Sequence, residues 1–266
     1  VQAGQVDFLA RHLTFDDYPF YKQNETNGNY RAAVLSQSGL GPSIRLNYAV
    51  QDMDLPNLFW NKDFRIALSI GLNREAISRA LYFGQAEPWG ISPHRDTPGF
   101  PGEEYAKLHT EYNPIRANEI LDNLGLLDTD GDGVREVNGK PLTIVIDMDQ
   151  GGGAGPVKVA ELVAAQWREI GIRAIANTIE RSLMLARWQD NTHTAFAWKL
   201  EGGINPVQMS FAWSTTADPS FMWNNVGVPL QVWVATGGKE GVEPPEFIKE
   251  INALMDLLIE YLQEEL

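Results

Sequence analysis

The sequence predicts an α/β fold in which a mixed sheet is flanked by helices. Three observations point to it. A strand–helix–strand run spans Leu142 to Ala176: Leu142, Ile144 and Ile146 alternate, Ala160, Val163, Trp167 and Ile170 form a helical stripe, and Ile172 opens a second strand. Asparagine-capped amphipathic helices occur at 62–83 and 113–124. Short alternating strands complete the set at 30–36, 43–49 and 194–198. A strand–helix–strand unit of this kind implies a parallel pair joined by a right-handed crossover.

In chain order, residues 16–29 read as a helix ending in a turn at Asn27, Gly28 and Asn29. Tyr30, Ala32 and Val34 alternate as one strand, and Ile44, Leu46 and Tyr48 as the next. The turn Ser38-Gly39-Leu40-Gly41-Pro42 makes them look like adjacent strands. Phe64, Ala67, Leu68, Gly71 and Leu72 recur at helical spacing, and Asn73 caps a restart ahead of Glu75. A Pro/Gly-rich loop follows from Gln85 to Pro101. Asn113 then caps a helix with Pro114 at its first position and Gly125 after its end. The glycines Gly151, Gly152, Gly153 and Gly155 lead into a helix over 156–170 that Gly171 closes. Beyond the next strand lie a helix at 182–189, a strand at 194–198, a Gly/Pro-rich segment from Gly227 to Pro245, and a last helix from Glu246.

Composition excludes several functions. The 266 residues carry a formal net charge of −14, and the 21 Lys and Arg are scattered, which disfavours nucleic acid as a partner. No cysteine is present, so disulfides, thiolate metal sites and a cysteine nucleophile are ruled out. No apolar run reaches the length of a membrane span. The opening Val1-Gln2-Ala3-Gly4 and the closing Tyr261-Leu262-Gln263-Glu264-Glu265-Leu266 suggest a piece of a longer protein.

The run Asp128-Thr129-Asp130-Gly131-Asp132-Gly133 opens like a calcium loop, with carboxylates at relative positions 1, 3 and 5 and glycine at 6. Position 12 is Gly139, where a bidentate carboxylate belongs, and Val137-Asn138-Gly139-Lys140 reads as a hairpin turn. A structural loop is therefore the preferred reading, with Asp128, Asp130 and Asp132 the weak candidate metal ligands. The glycine cluster lacks the ending and spacing of a phosphate loop, and no cofactor is expected. His12, His94, His109 and His193 are dispersed, no nucleophile elbow occurs, and no carboxylate pair stands out. The chain reads as a non-enzyme; a carbohydrate-active enzyme and a calcium-dependent interaction module are the competitors from other classes.

The order of residues goes further. Phe64-Arg65-Ile66-Ala67-Leu68 through Asn73-Arg74-Glu75-Ala76-Ile77 resembles the "FRxALxxAIDRExI" segment of the family 5 extracellular solute-binding proteins, receptors that serve bacterial ABC importers. Tyr112, Asn113, Pro114, Ala117, Ile120, Leu121 and Gly125 are similar to that family's "YDPxKAxxLLxxAG" segment. Ala3-Gly4-Gln5-Val6-Asp7 resembles its "aGeiD", and Asp128 to Glu136 its "DTDGDGxRE" loop. The likeness runs from about Ala3 to Ile179, with weaker matches through Glu201. It implies the C-terminal lobe of a type II periplasmic-binding-protein-like fold. On that reading residues 1–20 are the inter-lobe connection, 21–245 the ligand-binding lobe and 246–266 a truncated helix. The implied partners are an oligopeptide ligand, a membrane permease and the missing N-terminal lobe. The implied location is periplasmic or extracellular, lipid-anchored or free.

Five tryptophans crowd the last third of the chain. The resemblance places Trp198 in the cleft wall and Glu201 where the family's "WxxDxxDP" acid pairs with a peptide ammonium. Asn205, Trp213 and Trp188 complete the implied ligand-binding set. Glu stands here for Asp, and Gly202-Gly203 replaces an acidic run, so an oligosaccharide ligand stacked on the tryptophans is the competing reading within the family.

Overall fold

A computed structural model describes residues 5, 7–9, 13, 15–34, 42–51, 54–90, 92, 95–96, 100–151, 154–199 and 227–264. A 3-10 turn at Phe15–Asp17 leads into α1 (Tyr18–Gln23) and α2 (Glu25–Gly28). Strand β1 (Pro42–Leu46) is followed by α3 (Leu55–Trp60), α4 (Lys62–Ile70), α5 (Arg74–Tyr82), α6 (Glu103–Ala106) and α7 (Pro114–Asn123). A hairpin of β2 (Glu136–Val137) and β3 (Lys140–Pro141) precedes β4 (Thr143–Asp149), α8 (Ala154–Glu169), β5 (Arg173–Ile179), α9 (Arg181–Gln189) and β6 (Ala195–Lys199). Two helices, α10 (Val228–Ala235) and α11 (Glu246–Glu264), close the described chain.

The main sheet has the order β1-β6-β4-β5. Strands β6, β4 and β5 run parallel, and β1 is antiparallel to β6 with Leu46 opposite Ala195. The mixed sheet and the parallel β4–α8–β5 unit are as the sequence predicts. One face of the sheet carries Ile144, Ile146, Met148, Ala174, Ala195 and Ala197, and it is covered by Val159, Ala160, Val163 and Trp167 of α8; all ten are buried. The three alanines leave room for α8 to sit close to the strands. Burial of each larger side chain contributes about 1.5–3 kcal/mol. The core extends through Leu68, whose carbonyl accepts the Trp167 indole N–H at 3.0 Å, to Phe59, Phe64 and Leu121 on the neighbouring helices.

The break between α4 and α5 has a local cause. A Cβ on Gly71 would come within 2.9 Å of Ile170 Cδ1, so glycine permits close helix approach. The Asn73 side chain then accepts the Ala76 amide at 2.9 Å and restarts the helix. Asn61 and Asn113 cap α4 and α7 in the same way, through Asp63 at 2.9 Å and Arg116 at 2.9 Å. Replacing Asn73 with alanine is expected to cost about 1 kcal/mol in a urea titration, with the melting curve staying a single transition.

The structure corrects some expectations. Tyr30 to Val34 belong to no strand. The Tyr30 amide donates to the Glu25 carbonyl at 3.2 Å and the Ala32 amide to the Glu25 carboxylate at 2.7 Å, so Glu25 of α2 takes two backbone amides that a ladder would have paired, while the Tyr30 hydroxyl donates to the Tyr21 carbonyl of α1 at 2.7 Å. Strand β1 pairs with β6 instead, and the expected turn at 38–41 lies outside the described residues. The Gly/Pro-rich stretch from Gly227 contains a helix, α10, whose second residue is Pro229, a position where the missing amide hydrogen costs little.

Arg135 ties three elements together. Its Nε donates to the Ile170 carbonyl at 2.9 Å, Nη1 to Asp122 at 2.6 Å and to the Leu126 carbonyl, and Nη2 to Asn118 at 2.7 Å. Its backbone amide donates to the Gly171 carbonyl at 2.7 Å, and its carbonyl accepts the Leu142 amide at 2.7 Å. The hairpin, α7 and the end of α8 thus share one buried guanidinium.

Candidate functional site

Because β6, β4 and β5 are parallel, their carboxyl ends lie along one sheet edge, at Lys199, Asp149 and Ile179. The loop after β4 leads to α8 and the loop after β5 leads to α9. Trp188 and Met184 of α9 cluster with Phe196 and Trp198, on the face opposite the one that α8 covers. The two connections therefore diverge at this edge. In open α/β sheets ligands bind beyond the carboxyl ends of the strands at such a point of divergence.

The residues there come from strand alternation. Asp147 and Asp149 occupy the α9 side of β4, while Ile146 and Met148 face α8. Both carboxylates are buried and both face an arginine of α9. Asp149 accepts the Gly151 amide at 2.8 Å on Oδ1, and its Oδ2 lies 3.4 Å from Arg181 Nε. Asp147 lies 2.9 Å from Arg187 Nε and accepts a hydrogen bond from the Asn177 side-chain Nδ2 at 2.7 Å. Burial pushes the Asp147 carboxyl above the usual carboxylate range, while Asn177 and Arg187 oppose that shift.

The Arg181 guanidinium lies 5.1 Å from the centroid of the Trp198 ring, and that of Arg45 lies 5.4 Å from the Phe196 ring. Between α9 and the sheet is a narrow hollow of about 20 Å3, room for little more than a water molecule. It is lined by Asp147, Met184, Leu185, Trp188, His193, Phe196 and Trp198. His193 is held neutral: burial lowers its pKa from 6.5 to about 4, although a hydrogen bond to the Arg187 backbone works in the other direction.

Of the expected ligand-binding set, Trp188 and Trp198 come together in this cluster. Both are buried, at 5% and 6% exposure, so neither offers an open ring face. Glu201, Asn205 and Trp213 lie outside the described residues. Sequence reasoning missed Asp147, Asp149, Arg181, Arg187 and His193. One signal was available: two aspartates alternate inside an otherwise apolar strand, at Ile146-Asp147-Met148-Asp149.

The acidic loop is a separate feature. Carboxylate oxygens of Asp128, Asp130, Asp132 and Glu136 lie within 4.8 Å of one another. The loop's own amides already engage them. Asp128 accepts Gly131 N at 2.7 Å and Gly133 N at 2.9 Å, Asp132 accepts Val134 N at 2.8 Å, and Glu136 accepts Thr129 N at 2.8 Å. Glu136 is at relative position 9, and the β2–β3 hairpin stands where a calcium hand has its second helix. Asn138 and Gly139 carry φ of 50° and 74° in that hairpin turn, as a two-residue connection requires.

Comparison with known proteins matches this arrangement to one family. Over 195 residues the chain is 28% identical to the oligopeptide-binding protein AppA of Bacillus subtilis, covering 70% of this chain and 32% of that protein. It is 27% identical over 157 residues to the peptide transport periplasmic protein SapA of Salmonella typhimurium, covering 58% of this chain and 26% of SapA. The solved structure of an oligopeptide-binding protein OppA superposes with a TM-score of 0.78 at 28% identity, over 96% of this chain and 42% of the other. The chain thus spans about a quarter to a third of the curated relatives it matches. Residues 1–221 match the family described as bacterial extracellular solute-binding proteins, family 5, middle, and the chain belongs to that family.

Proposed function

We propose that this chain is the greater part of one lobe of a receptor that binds oligopeptides in a cleft between two lobes and delivers them to the permease of an ABC importer, with no chemistry of its own. The divergence of the connections after β4 and β5 at the carboxyl edge of the sheet carries the reading, in a chain several of whose relatives are named for peptide binding or transport. Residues 21–245 would form the lobe, 1–20 the connection and 246–266 part of a C-terminal helix. Glu201 would pair with the peptide ammonium, and Asn205 and Trp213 would line the same wall. Ligand stabilises the closed state through contacts made only there. The named relatives include a periplasmic protein, which supports a periplasmic or extracellular location, lipid-anchored or free. No helix among the described residues is long and apolar enough to cross a membrane.

Burial of Trp188 and Trp198 speaks against the oligosaccharide alternative, because a sugar platform needs an open aromatic face. The test is a native mass spectrum of the whole receptor purified without denaturation. Adducts forming a ladder of amino-acid masses are expected. Adducts spaced by hexose or pentose units would replace the peptide reading with the sugar one.

A further inference from the structure

We propose that the narrow hollow between α9 and the sheet is a binding site for one ordered water molecule, held by Trp188, His193 and Asp147. Its occupant is the same whatever ligand the receptor carries. All three residues line the hollow, and all are more than nine-tenths buried, at 5%, 3% and 1% exposure. Each carries a buried polar atom that makes no hydrogen bond among the described residues: Trp188 Nε1, His193 Nδ1 and Asp147 Oδ2. Asp147 Oδ2 faces Arg187 Nε at 2.9 Å as an ion pair without hydrogen-bond alignment, so it keeps its accepting capacity. The remaining walls are apolar, Met184, Leu185 and Phe196 among them. Buried polar groups of folded proteins find partners, so three such atoms around one hollow point to an occupant.

Volume and donor pattern select the occupant. The hollow measures about 20 Å3. A cavity needs about 10–15 Å3 to hold one water, which makes about three hydrogen bonds to its walls. His193 hydrogen-bonds the Arg187 backbone while Nδ1 has no partner, so Nε2 carries the proton and donates to that carbonyl. Nδ1 is left with a lone pair that can only accept. The Trp188 indole N–H can only donate, and the ionised Asp147 carboxylate can only accept. One donor and two acceptors are the complement of a water molecule. Its two O–H groups donate to Nδ1 and Oδ2, and its oxygen accepts the indole N–H. A cation there would face the indole N–H and the Arg187 guanidinium. An anion would face Asp147 and the Nδ1 lone pair. The water thus ties α9, β4 and the segment leading into β6 through one hydrogen-bonded junction.

The experiment is a water-to-protein magnetisation-transfer NMR measurement on the 266-residue chain at neutral pH. Methionine methyls carry 13C, and tryptophan and histidine carry 15N. Methyl protons do not exchange with solvent, so a cross peak between water and the Met184 methyl reports a water molecule beside it. A long-lived internal water gives this peak the opposite sign to surface hydration. Met148 faces α8 in the core at 0% exposure and serves as the internal control. Long-lived water contacts are expected at the Met184 methyl and the Trp188 indole N–H, with none at Met148. The His193 ring is expected to be protonated at Nε2 alone. Trp188→Phe removes the donor and is expected to abolish the Met184 contact. Absence of that contact in the unmodified chain overturns the proposal, and so does a His193 ring protonated at Nδ1. A Met184 contact of unchanged strength in Trp188→Phe overturns the three-point site. If Trp188→Phe does not fold, the Met184 contact and the His193 tautomer in the unmodified chain decide between the same two outcomes.

Discussion

Replacing Arg135 with methionine is expected to lower stability by about 3 kcal/mol or more, read as a shift of the urea midpoint at unchanged slope. Methionine fills much of the same volume but leaves the carbonyls of Leu126 and Ile170 and the Asn118 side chain without their donor. The charge partner Asp122 is 56% exposed and returns to water at little cost, so the loss comes mainly from the stranded buried acceptors. Lysine in the same place keeps the charge but offers a point donor in place of a fork, so it should recover only a minor part of the loss. A destabilisation below about 0.5 kcal/mol would mean that water or a neighbouring side chain takes over the acceptors.

Acidification should weaken the fold between pH 6.5 and about 4 through His193. The sign follows from its depressed folded-state pKa. In that window the unfolded chain holds a proton that the folded chain excludes, so stability is fully present above 6.5 and falls as the pH drops toward 4. At about 1.4 kcal/mol per unit, the full effect is about 3 kcal/mol. It is observable because His193 is 3% exposed, packed edge-on to Phe196 at 5.7 Å, and has no carboxylate ion-pair partner among the described residues. The measurement is a set of urea titrations from pH 7.5 to pH 4, comparing the chain with His193→Leu. The substitution should flatten the slope by about one proton over this range, whatever it does to stability at neutral pH. An unchanged slope would assign the acid sensitivity to the carboxylates.

The two residues differ in how visible they are from sequence. Arg135 follows the acidic loop and looks like part of a surface turn. Its burial depends on Gly171, 36 positions away, where φ is 82° and a Cβ would meet Arg135 Cγ at 2.9 Å. His193 stands between two threonines and gives no local sign that Trp188 and Phe196 will enclose it. Periodicity reports which face of an element is apolar. It does not report which distant group will meet a polar side chain on that face.

Local interactions explain why so much else was legible. Asn73 and Asn113 were legible as caps because an asparagine side chain reaches an amide three residues ahead, a relation contained within one turn of chain. The alternation in β4 and β5 and the stripe on α8 specify a parallel unit because connection length and period suffice for it. The order of these motifs sufficed to indicate the family. Over Tyr30 to Val34 the expected strand did not form because an alternating segment says nothing about whether a ladder partner will be present; here Glu25 of α2 accepts the Tyr30 and Ala32 amides. The site was less legible still. That Asp149 would form an ion pair with Arg181 over Trp198 depends on strand order β6-β4-β5 and on α9 crossing back over the face opposite α8. By itself the sequence determined the β4–α8–β5 unit, the asparagine caps of α5 and α7 and the α/β class, since these arise from interactions within a few residues. Only the tertiary structure decided that two buried aspartates and two arginines meet at one sheet edge, because ion pairs between separate elements depend on topology rather than on neighbours in the chain.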